Sequence, residues 1–193
     1  MEAGAASVDD GDFGSGLVGL ELGIRASDRV DIAFGLGVAR SQTRSEYRDW
    51  LGSDDLPIEQ TTSFRRVPLT ASLKYYLSDR GRSVSQFAWI PGDWTPYVGA
   101  GGGWTAYRFE QTGEWVDFES DDLDIFRGTV VSDGFAPTAH LLAGVQKSLS
   151  PHFFLSGEGR YSWASKEMDL DFEGFDPIDL GGFQLAVGIS ARF

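Results

Sequence analysis

The chain has 193 residues, a formal net charge of −13 and a pI near 4.4. A length of this order predicts a single domain, here residues 1–193, and an acidic balance without any basic stripe excludes a nucleic-acid partner. The absence of cysteine excludes disulfides, thiol chemistry and cysteine-based metal sites.

The N-terminal segment, residues 1–15, reads as an acidic loop because its apolar residues do not alternate. It has neither the basic region nor the apolar core of a secretory signal peptide. We therefore expect that a signal has been removed or that the chain is truncated. No uninterrupted apolar run reaches the ~18–20 residues that a membrane helix needs. Membrane strands are not excluded by this, since they show only short alternating segments.

Seven segments alternate between apolar and small or polar residues with a period of two, which is typical of β-strands. In the first, Val18, Leu20 and Leu22 share one parity, and Glu21 and Arg25 have the other. The seven segments are 16–27, 30–40, 67–77, 95–107, 136–149, 153–163 and 181–193. Several are about twice as long as the ~5–6 residues typical of globular strands, and they match the ~9–11 residues that cross a bilayer. With no helical pattern between them, they predict an all-β chain.

The connections between these strands alternate in length. Tight turns are predicted around Asp28 and Pro151, an intermediate link over 78–94, and long loops over 45–61, 111–134 and 165–180. The long loops and the N-terminal segment hold most of the 29 acidic residues. This layout is typical of an antiparallel up-and-down transmembrane β-barrel with acidic extracellular loops. Such barrels have an even number of strands, so we expect that a first strand is missing upstream.

Charged residues of both signs recur on the parity opposite the apolar one. A barrel interior is polar and filled by side chains when the barrel is small, and buried ions need partners. We therefore predict a structural charge network that plugs the lumen. In it, Glu21 lies near Glu158 and Arg160, and Arg25 lies near Asp31 and Lys74. Its members are Glu21, Arg25, Asp31, Lys74, Glu158 and Arg160.

Aromatic residues lie near the ends of the predicted strands, where a membrane interface selects them. The predicted interface aromatics are Tyr75, Trp94, Tyr97 and Phe153 near the short turns and Trp104, Tyr161 and Trp163 nearer the long loops. Lys147 has the outward parity near a strand end, from which a lysine can extend its ammonium to the interface.

The segments FGSGLVGLELGIRASDRVDIAFGLG, VPLTASLKYYL, WTPYVGAGGGW and LAVGISARF resemble the OmpA/OmpW-like small outer-membrane β-barrel domains. The resemblance covers most of the chain from Gly14 to Phe193. It implies an eight-stranded barrel in the outer membrane of a Gram-negative bacterium, in contact with lipid and lipopolysaccharide. It also implies that the terminal Phe193 is part of the signal read by the barrel-assembly machinery. The implied role is envelope-structural, or that of a minor pore for small solutes.

Two other functions compete with this interpretation. A soluble lipocalin-like barrel would turn the apolar parity inward around a ligand cavity. A lipid-modifying outer-membrane enzyme would need a nucleophile near His140, and the residue two positions on is Leu142 rather than serine. We expect no enzymatic activity. No cofactor or metal is expected either, because DLDFEGFDPID does not match an EF-hand loop and VGAGGGW opens no helix.

Overall fold

The computed structural model describes residues 15–51, 56–85, 88–116, 125–166 and 178–192. Seven long strands form one antiparallel up-and-down sheet in the order β1-β2-β3-β6-β7-β8-β11. The strands of this sheet are β1 Leu17–Arg25, β2 Val30–Leu51, β3 Pro57–Tyr76, β6 Trp94–Val116, β7 Ile125–Ser148, β8 Phe153–Trp163 and β11 Gly182–Ala191. Two short ribbons lie in the connections: β4 Gly81–Ser85 pairs with β5 Ala88–Pro91, and β9 Ser165–Lys166 pairs with β10 Ile178–Asp179.

The predicted all-β, antiparallel architecture with seven strands is confirmed. Each strand pairs with the next long strand along the chain, as the period-two pattern requires. Among the described residues, no helix is long and apolar enough to span a membrane.

The sheet curls strongly toward one face. The ammonium of Lys74 on β3 lies 2.7 Å from Glu21 on β1 and 2.8 Å from Glu158 on β8. In a flat sheet β1 and β8 would be five strand spacings apart, about 24 Å. One side chain can bridge these strands only because the sheet bends round on itself. We call the concave side the interior face.

The two edge strands, β1 and β11, make no pair with each other among the described residues. Because each pairing in the sheet is antiparallel, seven strands leave these two edges running in the same direction. Their outward side chains are more exposed than those of the middle strands: Val18 and Leu185 are each 81% exposed, whereas Leu36 is 51% exposed.

The long-loop predictions were wrong over most of 45–61 and 111–134. There β2 continues to Leu51 and β3 begins at Pro57, while β6 continues to Val116 and β7 begins at Ile125. The strands persist because the backbone hydrogen bonds between neighbouring strands continue through these segments. The alternation fades because the outward residues, such as Arg40 and Arg44, become polar. A sequence pattern based on one apolar face cannot detect a strand whose outward face is polar.

Three predictions fall wholly or largely outside the described residues. These are the loop character of residues 1–14, the long loop over most of 165–180, and the terminal signal at Phe193. Of the residues between β8 and β11, the described ones form the β9–β10 ribbon, and β11 begins at Gly182, whose φ of 120° is one that glycine adopts without strain.

Candidate functional site

The interior face carries the candidate site, and cross-strand register decides which residues reach it. Directly paired residues of neighbouring strands project to the same side of a sheet. Arg25 pairs with Asp31, Asp31 pairs with Lys74, and Lys74 pairs with Gly99. The predicted inward parity is therefore shared from strand to strand.

Glycines on β6 make room for the inward side chains. A Cβ at Gly101 would lie 2.7 Å from Nε2 of His140 and would also clash with the backbone oxygen of Ala71. A Cβ at Gly103 would clash with the backbone oxygen of Leu69. Larger residues at these positions would push the strands of the curled sheet apart.

A charge layer occupies the middle of the interior face. Lys74 Nζ donates hydrogen bonds to Glu21 Oε1 at 2.7 Å and to Glu158 Oε2 at 2.8 Å. Arg160 Nη2 donates to Glu158 Oε1 at 2.8 Å. The Tyr97 hydroxyl donates to Glu158 Oε2 at 3.0 Å. Two cations and two carboxylates balance in charge, and the buried groups have charge-assisted hydrogen bonds that offset part of their desolvation.

A second ion pair closes the end of the interior face nearest the tight turns. Arg80, which precedes β4, is 5% exposed and donates to both oxygens of Asp31 at 2.6 and 2.7 Å. Its guanidinium lies 4.4 Å from the centre of the Tyr76 ring, whose hydroxyl donates to Asp31. This arrangement combines an ion pair with a cation–π contact.

The structure brings four of the six predicted network residues together: Glu21, Lys74, Glu158 and Arg160. Arg25, Asp31 and Lys74 lie side by side in register as predicted, but their ion pairs are made with other residues. Arg25 forms its ion pair with Asp28 in the turn, and Asp31 binds Arg80 instead. Lys74 reaches across the concave space to β1 and β8, which the linear pattern could not reveal.

A neutral polar layer lies beyond the charge layer. His140 Nε2 is 2.8 Å from the Ser72 hydroxyl, and the hydroxyls of Thr105 and Thr138 are 2.9 Å apart. His140 and Ser72 are both buried. The second ring nitrogen of His140, Nδ1, is buried without a hydrogen-bond partner among the described residues.

An apolar cluster lies beyond the neutral polar layer on the interior face. Phe64, Tyr107 and Ala136 pack with Leu180 and Ala164, which flank the β9–β10 ribbon. Leu180 donates its backbone N–H to the Ala164 carbonyl at 2.9 Å, which extends the β9–β10 ladder by one pair, and the two side chains hold the ribbon against the cluster. The interior is thus occupied in successive layers from one end to the other.

Six of the seven predicted interface aromatics face outward. Their exposed fractions fall between 43% for Tyr75 and 61% for Trp104. The exposed members are Tyr75, Trp94, Trp104, Phe153, Tyr161 and Trp163. The assignment of Tyr97 was wrong: it is 4% exposed and binds Glu158 in the interior. Its parity is that of Gly99 and Gly101, so strand alternation already indicated an inward position.

Sequence reasoning missed residues that bind members of the predicted network or His140, among them Tyr76, Ser72 and Arg80. Tyr76 and Ser72 have the inward parity of β3, so the alternation could have identified them. Arg80 lies in a connection, where no periodic signal applies.

Outside the curled sheet, Arg29 donates hydrogen bonds to Asp79 at 2.7 and 3.1 Å. This contact raises the pKa of the Arg29 guanidinium, and a weaker interaction with Tyr75 raises it further.

Metal binding and similarity to known proteins both bear on chemistry. Within the described ranges, no group of three or more histidine, aspartate or glutamate residues could hold a metal ion. Comparison of the chain with protein-family models, with curated proteins and with solved structures found no match.

Proposed function

We propose that this protein is a small β-barrel of the outer membrane of a Gram-negative bacterium, with an envelope-structural role. One observation carries the proposal. The exposed outer face of the curled sheet is apolar, whereas the concave interior face holds ion pairs and hydrogen-bonded polar groups. A protein surrounded by water would have the opposite arrangement.

The outward apolar residues form a continuous surface over all seven strands. Representative exposed residues are Leu20, Leu22, Phe34, Leu36, Leu69, Leu73, Val98, Leu141, Leu155, Leu185, Val187 and Ile189. Soluble monomers expose only small contiguous apolar patches, and larger ones mark interaction or membrane surfaces. Fully removing one such side chain from water contributes about 1.5–3 kcal/mol, so a lipid environment would stabilise this face strongly.

The distance between the two groups of outward aromatics also supports a membrane span. Trp94 and Trp104 lie on the same face of β6, ten residues apart, which is about 33 Å along a strand. With the 35–45° strand tilt of membrane barrels, this corresponds to about 25 Å across the membrane, the height of their apolar band. The extensions of β2, β3, β6 and β7 would then stand outside the bilayer, available for contacts with lipopolysaccharide.

The filled interior favours a structural role over a pore. The Arg80–Asp31 pair, the charge layer around Lys74, the buried Ser72–His140 pair and the apolar cluster follow one another along the interior. Small barrels are filled by side chains in this way and leave no wide channel.

Membrane insertion also requires that the edges of β1 and β11 be covered, since unpaired backbone groups in lipid cost several kcal/mol each. One additional strand, antiparallel to both edges, would complete a barrel of the eight-stranded type. Assembly by the barrel-assembly machinery through the C-terminal strand is part of the proposal, and β11 keeps the required alternation from Phe183 to Ala191.

The two competing functions fit the geometry less well. A lipocalin-like protein needs an apolar interior, and the interior here carries Lys74, Glu158 and Arg160. An enzyme could use Ser72 with His140, but both side chains are buried between filled layers. His140 Nδ1 has no carboxylate partner among the described residues, so the orienting acid of a catalytic triad is not in place.

The test is reconstitution of the full chain. We expect β-rich far-UV circular dichroism and a monodisperse species in detergent micelles, precipitation in plain buffer, and protease protection in lipid vesicles. Planar-bilayer recordings should show no steady conductance. A monodisperse β-rich monomer in plain buffer would refute the membrane proposal, and a stable open channel would refute the structural role.

A further inference from the structure

The outer face of the sheet has a groove that the proposed function does not use. The groove has a volume of about 510 Å³ and lies along β6, with Val98 and Ala100 between Leu73 and Tyr75 on one side and Leu141 on the other. It exists because Ala100 pairs with Leu73 and with Leu141, so a small residue separates two large ones. Its lining is apolar, and it is shallow and open along its length, so an extended apolar chain can lie in it.

A single positive charge lies beyond one end of the groove. Trp94 pairs with Lys147 four residues beyond the Val98–Ala143 pair. The Lys147 ammonium lies 4.8 Å from the centre of the exposed Trp94 ring. Among the described residues between the aromatic group of Trp94 and Phe153 and that of Trp104 and Trp163, Lys147 is the one charged side chain that faces outward.

The distance between the groove and Lys147 matches the length of one phospholipid in a leaflet. From Ala100 to Trp94 is six residues, about 20 Å along the strand, and somewhat less along the membrane normal once the strand tilts. One leaflet of hydrocarbon is about 15 Å thick. A chain lying in the groove would therefore reach the level of Lys147 with its headgroup. A lysine near the membrane surface attracts anionic headgroups, and a ring beneath it fixes its position.

We propose that the groove and Lys147 form a binding site for one anionic phospholipid in the leaflet at the tight-turn end. An acyl chain lies between Leu73 and Leu141, and the phosphate binds the Lys147 ammonium. This inference rests on the proposed function, because the lipid approaches from within a bilayer.

Native mass spectrometry of the full chain, released from detergent micelles, tests the site with phosphatidylglycerol and phosphatidylcholine of identical acyl chains. We expect retention of one phosphatidylglycerol with clear preference over phosphatidylcholine. Lys147→Gln should weaken phosphatidylglycerol binding about fivefold and leave phosphatidylcholine binding unchanged. Ala100→Leu should fill the groove and weaken the binding of both lipids.

Lys166→Gln is the matched control, because Lys166 is an exposed lysine on β9 at the other end of the molecule. It should bind both lipids as the unaltered chain does. Equal retention of the two lipids, or no effect of Lys147→Gln, would overturn the lipid site while membrane insertion stands. Failure of the unaltered chain to insert into vesicles would overturn the proposed function, and the lipid site with it.

Discussion

Arg160 Nη2 lies 3.8 Å from Glu21 Oε2, although β8 and β1 are separated by four strands in the sheet. The contact spans the concave space rather than following the ladder. It places β1, the first strand of the sheet, opposite β8, the sixth.

Removal of the Lys74 charge should destabilise the protein strongly. Lys74→Met leaves Glu21 and Glu158 to share Arg160 alone, and breaking a buried pair costs about 3–5 kcal/mol. Urea unfolding in micelles, followed by tryptophan fluorescence, measures the free energy of unfolding. Adding Glu21→Gln to Lys74→Met should recover part of the loss, because Arg160 then still neutralises Glu158.

The control for this variant is Arg127→Gln. Arg127 pairs with Glu114, but its side chain is 83% exposed, and exposed pairs contribute little. The expected change is below about 0.5 kcal/mol. Equal losses for Lys74→Met and Arg127→Gln would argue against an enclosed charge layer.

Gly101→Ala should destabilise the sheet, whereas Gly157→Ala should not. The new methyl at 101 would meet the Ala71 carbonyl and His140, and overpacking of this kind costs about 1–3 kcal/mol. A Cβ at Gly157 has no neighbouring heavy atom within 4 Å. The same unfolding assay compares the two variants. Comparable stability of the two would mean that β3 and β6 lie further apart than described.

Ser72→Ala tests the enzymatic alternative. It removes the hydrogen bond to His140 Nε2 and leaves a buried ring without that partner, so we expect a loss of about 1–3 kcal/mol in stability. Fatty-acid release from mixed phospholipid micelles should be absent before and after the substitution. Hydrolysis by the unaltered chain that disappears in Ser72→Ala would establish an enzyme.

Engineered cysteines test whether β1 and β11 remain apart, and the chain has no cysteine of its own. Leu20 pairs with Leu36, so Leu20→Cys with Leu36→Cys should form a disulfide on oxidation, because paired positions meet the distance requirement. Leu20→Cys with Leu185→Cys or Val187→Cys should not. Efficient cross-linking of either pair would show that the two edges meet directly.

The alternation of residues determined much of the architecture. All seven strands could be predicted, with the correct parity for residues such as Leu20, Leu73 and Leu185, because a period of two fixes which side chains share a face. Strand length beyond the apolar band could not be predicted. There Arg44 and Glu59 face outward from intact strands, and polar residues on that face remove the signal.

The partners of the interior charges were decided by tertiary structure alone. The sequence determined that Glu21, Asp31, Lys74, Glu158 and Arg160 share the inward face. Only the curvature of the sheet decided that Lys74 binds Glu21 and Glu158, and that Arg80 enters from a connection to bind Asp31. Parity is a local property of a strand, whereas contact across a concave face depends on how far the whole sheet bends.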